Sequence, residues 1–238
     1  MPGARTNRVR AAVVVPIRSF QDGKTRIRAH RLDIKAELVK FTASSVLAAT
    51  SAYETFVVTD DAEVKEWAHS MGCPVSQGRG GGLNEDLEFA CRDLTARGYQ
   101  RVAIVLADLP LLRSEDVAKS LADPGVYIIT DAQSLGTNLL SVNLPLPLRL
   151  CYGESSCAAH SAQAHQAALN LTVVDAGLAC YDLDTVDDIE ALRELRDIHE
   201  QQLRGEELDR LERLFGMAKG VSQPRCPQSG HRFRKATI

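Results

Sequence analysis

One aspartate follows an apolar segment in a position where carboxylates often do chemistry. Asp108 comes directly after the run Arg101–Ala107 and is followed by Leu109 and Pro110. A carboxylate at the carboxyl end of a buried strand commonly holds Mg²⁺ together with water and phosphate oxygens. The alternative is an aspartate that caps a turn of the backbone. The segment therefore predicts a metal carboxylate at Asp108, with the turn cap as the competing interpretation.

Two further carboxylates, Asp182 and Asp184, lie two residues apart in a short polar segment. In extended chain, side chains two residues apart point to the same side. This spacing allows one of them to join Asp108 at a metal. The alternative is that they serve only to cap a helix predicted to begin at Thr185.

Three cations, Arg18, Lys24 and Arg26, lie in the polar loop after the first apolar run. Cations at the end of a strand can hold a polyphosphate and neutralise a leaving pyrophosphate. Neither the Walker sequence nor the dinucleotide-binding glycine pattern is present in this loop. A solvated basic loop is the alternative.

A glycine-rich stretch, Gly78–Gly82, precedes Leu83 and Asn84. Glycines let a backbone approach a flat ligand closely and present N–H groups to it. The amide of Asn84 could cap the following helix or bind a base or ribose. A simple turn is the commoner role of such a stretch.

A third group of residues is suited to an anion. Thr137 lies between a glycine and an asparagine, and Gly153, Ser155 and Ser156 precede a predicted helix. Backbone N–H groups, hydroxyls and the helix dipole together bind anions. Ser156 could instead be a plain N-cap. His160, one turn into the helix, could face the same anion or pack in the core.

The elements that must position these residues begin as alternating buried strands and helices. Dense apolar runs predict strands, and helical spacing of apolar residues predicts helices between them. The predicted strands are Ala11–Ile17, Thr55–Thr59, Pro74–Ser76 and Arg101–Ala107, and the predicted helices are Arg31–Thr50, Asp61–Met71 and Asn84–Arg97. This alternation predicts an α/β fold with a mostly parallel sheet covered on both faces.

After Asp108 the pattern changes, and several extended segments follow one another. They are Val126–Thr130, Asn138–Val142, a short Arg149–Tyr152, Leu171–Val174 and Cys180–Leu183, with a helix at Cys157–Leu169 and a long acidic helix from Thr185. The succession of strands predicts an antiparallel flap on the parallel core.

Composition excludes several classes of protein. The chain has 238 residues, with 28 Lys and Arg against 31 Asp and Glu, which argues against a general nucleic-acid-coating protein. No apolar run approaches the roughly 20 residues of a membrane span. The polar, basic start is unlike a secretory signal, and the six cysteines form no C-x-x-C pair. We therefore expect a cytoplasmic protein with reduced thiols, acting without nucleic acid or membrane.

The end of the chain changes character twice. Between Asp187 and Arg213 there are ten acidic and five basic residues, which predicts a solvated helical face. From Gly216 to Ile238 there are five basic residues and no acidic ones, which predicts a flexible tail.

Taken together, six segments in this order resemble the guanylyltransferase family of coenzyme F-420 biosynthesis, whose members guanylylate 2-phospholactate or phosphoenolpyruvate. The segments are VPIRSF, GLNEDL, VLADLPLL, GTNLL, YGESS with a later His, and DLDTVDDIEAL. The resemblance covers about residues 11–195. It implies one nucleotidyltransferase domain over 11–200, related to GT-A enzymes, with a three-layer, Rossmann-like α/β/α core. Residues 1–10 are then a flexible N-terminus and 201–238 a helical extension with a basic tail.

The resemblance also implies roles on the nucleotide side of the site. Asp108 matches the metal carboxylate, with Asp182 or Asp184 as its partner on Mg²⁺. Arg18 and Lys24 match the loop that faces the triphosphate.

Two further groups of residues match the family's loops. Gly82, Leu83 and Asn84 match the nucleotide-side loop. Thr137, Gly153 and Ser156 match positions that hold the phosphorylated acid in the phosphoenolpyruvate-using branch.

The implied activity is transfer of GMP from GTP to phosphoenolpyruvate, giving enolpyruvoyl-2-diphospho-5'-guanosine for the next enzyme of the pathway. The alternative acceptor is 2-phospho-L-lactate. Two other classes stay open: a nucleotidyltransferase for another phosphorylated acceptor, and a non-catalytic nucleotide-binding protein. The sequence also leaves open whether the chain forms a homodimer.

Overall fold

The computed structural model describes residues 9–20 and 32–218. The strands are β1 (Ala11–Pro16), β2 (Glu54–Thr59), β3 (Val75–Gln77), β4 (Arg101–Val105), β5 (Val126–Thr130), β6 (Thr137–Asn143) and β7 (Leu171–Val174). The helices are α1 (Leu32–Thr50), α2 (Ala62–Ser70), α3 (Leu83–Ala96), α4 (Ser114–Ala122), α5 (Ser156–Gln166), α6 (Val186–His199) and α7 (Gly205–Met217), with a 3₁₀ turn at Leu178–Cys180. None of the described helices is long and apolar enough to cross a bilayer.

The described strands form a single sheet in the order β3-β2-β1-β4-β6-β5-β7. Every neighbouring pair is parallel except the two pairs made by β6, which runs antiparallel to β4 and to β5. The predicted mostly parallel α/β fold is therefore confirmed. The predicted antiparallel part is also present, but its placement as a flap is wrong, because the antiparallel strand lies inside the sheet. The turn from β5 to β6 is too short for a crossover, so the chain must reverse there.

Both faces of the sheet are covered, as the run of β-branched residues in β1 predicts. Val13 and Val15 pack in one buried cluster with residues of α1, α2 and α4. Ala12 and Val14 point the other way and pack with residues of α3 and α5. Because alternate side chains of a strand face opposite sides, a fully apolar strand needs a helix layer on each side. The result is the expected three-layer α/β/α core.

A third apolar cluster lies under the last two helices. Leu111, in the segment after β4, packs there with leucines of α6 and α7. Glu207 of α7 is 1% exposed, and its Oε2 accepts a hydrogen bond from Nη2 of Arg113 at 2.9 Å. The inner sides of these helices are thus mostly apolar, and the acidic Glu207 is buried there with Arg113 as its partner.

Two extended segments predicted from the sequence are wrong. Residues Arg149–Tyr152 form no strand, because their N–H groups donate to side chains, among them Asn84 and His160, and not to a neighbouring strand. In the segment predicted as Cys180–Leu183, the 3₁₀ turn ends at Cys180, and the N–H of Tyr181 donates to the carbonyl of Leu178.

Candidate active site

The carboxyl ends of β1 and β4 bring Arg18 and Asp108 to one edge of the sheet. The two strands pair in parallel with Val14 opposite Ile104, and Arg18 and Asp108 each follow four residues after these partners, beyond the ends of the strands. Arg18 is exposed, and it lines a cavity of about 260 Å³ together with Leu83, Asp108 and Asp184. The cavity therefore brings together residues from four segments that are distant in the sequence. Lys24 and Arg26 lie outside the described residues.

Asp108, Asp182 and Asp184 form an acidic cluster, in which one carboxylate oxygen of each lies within 4.8 Å of the others. A backbone hydrogen bond holds the cluster together. The N–H of Leu183 donates to the carbonyl of Asp108 at 2.9 Å. Since Leu183 lies between the other two aspartates, this bond fixes both of them against the end of β4.

Negative charge is concentrated in the acidic cluster. Burial, and then the charges of Asp108, Asp184 and Asp188, raise the pKa of Asp182 to about 8. A divalent cation would relieve this repulsion, and Mg²⁺ prefers oxygen ligands of this kind. The donor set therefore fits a magnesium ion.

Helix capping does not account for these aspartates. The N-cap of α6 is Thr185, whose Oγ1 accepts a hydrogen bond from the N–H of Asp188. In return the carboxylate of Asp188 accepts from the N–H groups of Asp184 and Thr185, at 2.8 and 2.6 Å. Thr185 and Asp188 thus form the capping box, and the side chains of Asp182 and Asp184 play no part in it.

A second cavity, of about 360 Å³, joins the acidic cluster to the turn before β6. Its lining includes Asp131, Asp182 and Asp184. The carboxylate of Asp131 accepts hydrogen bonds from the N–H groups of Leu135 and Gly136, both at 2.8 Å. These bonds hold the turn that places Thr137 at the start of β6, at the same edge of the sheet as Asp108.

The hydroxyl of Thr137 is bonded to a buried histidine. Its Oγ1 lies 3.1 Å from Nδ1 of His160, and Nε2 of the same ring accepts a hydrogen bond from the N–H of Cys151 at 2.9 Å. Burial lowers the pKa of His160 to about 4, so the ring is neutral near pH 7. The sequence allows His160 either to face an anion or to pack in the core. The structure places it in the core, beside Thr137.

Asn84 bridges the glycine-rich stretch to the segment before α5. Its Oδ1 accepts the N–H of Tyr152 at 2.7 Å, and its Nδ2 donates to the carbonyl of Tyr152 at 3.1 Å. The N-cap of α3 is Gly82, whose φ of 100° is a conformation that glycine adopts readily. The carboxamide thus neither caps the helix nor stays available to a base. No sequence signal predicts this pairing, because 68 residues separate the two partners.

Asn84, Cys151, Tyr152, His160 and Thr137 together form what we term the hydrogen-bonded chain. It links the start of α3 to the start of β6 through one backbone segment, Cys151–Tyr152, and one imidazole ring.

The start of α5 differs from its prediction in one respect. The N-cap is Ser155, in the left-handed region with φ 56°, and Ser156 is the first helical residue. The N–H of Ser156 donates to the carbonyl of Gly153, and that of Cys157 to the carbonyl of Leu135. These two N–H groups are thus engaged within the protein. Thr137 and Ser156 are each only 2% exposed, whereas the turn from Gly153 to Ser155 is exposed.

The fold is shared with a solved structure of another protein. The chain superposes with a TM-score of 0.69 on a crystal structure from Desulfovibrio desulfuricans G20 described as a nucleotide-diphospho-sugar transferase. The two are 16% identical, and the match covers 89% of this chain and 98% of that one. At this identity the likeness concerns the fold alone.

Sequence comparison identifies nearer relatives. The chain is 29% identical over 187 residues to the phosphoenolpyruvate guanylyltransferase of Sphaerobacter thermophilus, covering 75% of this chain and 90% of the relative. It is 28% identical over 187 residues to the 2-phospho-L-lactate guanylyltransferase of Methanothermobacter thermautotrophicus, covering 76% and 83%. The model of the family described as "Guanylyl transferase CofC like" matches residues 11–208. Together with the fold and the acidic cluster, this match shows that the chain belongs to the CofC-like guanylyl transferase family.

Proposed function

We propose that this chain transfers GMP from GTP to phosphoenolpyruvate, with 2-phospho-L-lactate as the alternative acceptor. The products are enolpyruvoyl-2-diphospho-5'-guanosine and diphosphate, the first of which serves coenzyme F-420 assembly. The observation that carries the proposal is the acidic cluster, Asp108, Asp182 and Asp184, at the same sheet edge as Thr137. The names of the two relatives supply the substrates.

On the nucleotide side, we assign Asp108, Asp182 and Asp184 to hold Mg²⁺. When bound, the ion neutralises charge on the triphosphate and polarises its phosphorus–oxygen bonds. Arg18 lines the same cavity as Asp108, which supports a role for it, with Lys24, in neutralising the leaving diphosphate.

Gly82, Leu83 and Asn84 border the proposed nucleotide site. Leu83 lines the cavity beside Arg18 and Asp108, and the glycine before it allows close approach of a ligand to the backbone. Asn84 contributes its backbone position, since its carboxamide already binds Tyr152.

The acid binds, in this proposal, to the hydroxyls of Thr137 and Ser156 and to the backbone at Gly153. Both hydroxyl residues are nearly buried, so the exposed turn at Gly153 and Ser155 must shift to admit the acid. Hydroxyl and N–H donors suit an anionic phosphate.

The reaction needs positioning more than proton transfer. A phosphate oxygen of the acid attacks the α-phosphorus of GTP, and the bond from that phosphorus to the oxygen bridging to the β-phosphate breaks as diphosphate leaves. The nucleophile is already an anion, so a strong general base is not required. The protein contributes orientation and charge neutralisation.

The proposal is tested by diphosphate release from GTP and Mg²⁺ with phosphoenolpyruvate, 2-phospho-L-lactate or 3-phosphoglycerate in parallel. We expect release that depends on phosphoenolpyruvate and stops when EDTA removes the metal. Parallel reactions with ATP and CTP test the choice of nucleotide. Intact GTP binding without release for any acid would contradict the proposal and favour another acceptor or a non-catalytic role.

A further inference from the structure

The state of the Thr137 hydroxyl depends on the buried ring beside it. Among the described residues, the hydroxyl has one hydrogen-bond partner, Nδ1 of His160, at 3.1 Å. A threonine hydroxyl can donate one hydrogen bond and accept two. Whether it has a proton to offer a ligand is therefore decided by which of the two groups donates in this bond.

The other nitrogen of the ring fixes the direction of that bond. The N–H of Cys151 lies 2.9 Å from Nε2 of His160, and a backbone amide nitrogen can only donate. Nε2 must therefore carry its lone pair. A neutral imidazole has one N–H, so the proton is on Nδ1 and is donated to Oγ1 of Thr137.

Burial excludes the doubly protonated ring near neutral pH. His160 is 0% exposed, and its pKa is lowered by desolvation. A second proton, on Nε2, would also point at the N–H of Cys151 and lose that hydrogen bond.

The ring has little freedom to turn. The Tyr152 ring packs edge-on against it, with 5.2 Å between ring centroids. Both backbone polar groups of Tyr152 are bonded to Asn84. The orientation of His160 is thus set from α3, through the segment before α5.

We infer that His160 is a positioning residue that accepts from Cys151, donates to Thr137, and so leaves the Thr137 proton to be donated to an oxygen of the phosphorylated acid. This inference rests on the proposed function for its ligand, but the hydrogen-bond direction itself does not. Without the histidine, the threonine hydroxyl would be free to rotate away from the acid.

Kinetics of three variants test the inference: His160→Phe, which removes both nitrogens at similar size, Thr137→Val, and the two combined. Each single change should raise KM for the acid by about tenfold, the value of one hydrogen bond to an anion, and leave KM for GTP within about twofold. Because both changes break the same contact, the double variant should match the single ones. His165→Phe, an exposed position in the last turn of the same helix, should change neither constant.

Effects that multiply in the double variant would overturn the inference. If His160→Phe does not fold, His160→Asn and His160→Gln replace it. Asparagine can place its amide near the Nδ1 position and glutamine near the Nε2 position, so asparagine should retain the lower KM for the acid. The reverse order would also contradict the inference.

A direct measurement separates this inference from the proposed function. Nitrogen-15 NMR of the labelled ring at pH 7.5 should show His160 protonated on Nδ1 and unprotonated on Nε2, whether or not the protein transfers GMP. A proton on Nε2 would overturn the inference even in an active enzyme. Absence of transfer with the expected tautomer would count against the proposed function alone.

Discussion

The two sides of the candidate site are built in opposite ways. The acidic cluster gathers three carboxylates whose mutual repulsion, with burial, raises the pKa of Asp182. The hydrogen-bonded chain is neutral, and the side chains of Asn84, His160 and Thr137 each already have a partner within the protein. One side therefore concentrates like charges that a cation would neutralise, whereas on the other side the protein itself sets the hydrogen bond of the Thr137 hydroxyl before any ligand arrives.

The difference suggests a division of labour. A site for a charged triphosphate can gain its binding energy from a metal that arrives with the nucleotide. A site that must present one phosphate oxygen to the α-phosphorus gains more from rigid donors. Substitutions on the two sides of the site should accordingly impair the protein in different ways.

The largest effect is expected on the acidic side. Asp108→Asn should lower turnover by about a thousandfold, because it removes charge at the proposed metal site. The fold should persist, as measured by circular dichroism. Asp187→Asn is the matched control, since Asp187 lines the same 360 Å³ cavity as Asp182 but is exposed and outside the acidic cluster. Near-normal turnover of Asp108→Asn would disprove the metal assignment.

Asp182→Asn should raise the melting temperature of the metal-free protein at pH 8 by several degrees while reducing activity. The pKa of Asp182 is raised on folding from 3.8 to about 8, so the folded state binds its proton more tightly. The aspartate therefore costs stability increasingly as pH rises from about 4 to 8, and the variant's advantage should grow over that range.

Thermal melts in EDTA from pH 5 to pH 8 measure this advantage. Mg²⁺ should reduce the difference in melting temperature between the variant and wild type, because binding stabilises the wild-type fold. A variant that is no more stable than wild type at pH 8 would show that the acidic cluster is not under the expected repulsion.

On the neutral side, Asn84→Leu should lower the free energy of unfolding by about 1–3 kcal/mol, because it leaves both backbone groups of Tyr152 without their partner. For a domain of this size that is a fall of several degrees in melting temperature. Asn170→Leu, at an exposed position, should change it little. An unchanged melting temperature for Asn84→Leu would show that the hydrogen bonds between Asn84 and Tyr152 do not stabilise the fold.

The smallest effect concerns acid stability. The pKa of His160 is lowered on folding to about 4, so the unfolded chain binds its proton first as pH falls. The contribution of His160 should therefore lower the stability of wild type as pH falls from about 6.5 to 4. His160→Phe should lose less over that range, whatever its melting temperature at pH 7. His165→Phe should follow wild type, and parallel curves for all three proteins would contradict the buried neutral ring.

Much of the fold is predictable from the sequence because its signals are local. Dense β-branched runs such as Ala11–Ile17 and Arg101–Ala107 mark β1 and β4 to within two residues. The spacing of Asp182 and Asp184 predicts that they face one side, and the structure brings both to Asp108.

What the sequence did not predict depends on contacts between distant residues. The position of β6 inside the sheet follows from the reversal of the chain after β5 and from the pairing of β6 with β4. The paired residues Val105 and Leu139 are 34 residues apart in the sequence. The failure of Arg149–Tyr152 to form a strand and the bridge made by Asn84 share one cause. Side chains far along the chain satisfy that backbone, and no local pattern encodes them.

The division of labour is tested most directly by the yield of the phosphoenolpyruvate–GMP adduct, measured by mass spectrometry against phosphoenolpyruvate concentration. The account predicts that Thr137→Val recovers the wild-type yield at saturating phosphoenolpyruvate, because only binding of the acid is weakened. It predicts that Asp108→Asn does not recover at any concentration. Recovery of Asp108→Asn, or a Thr137→Val protein that stays inactive at saturation, would contradict the account.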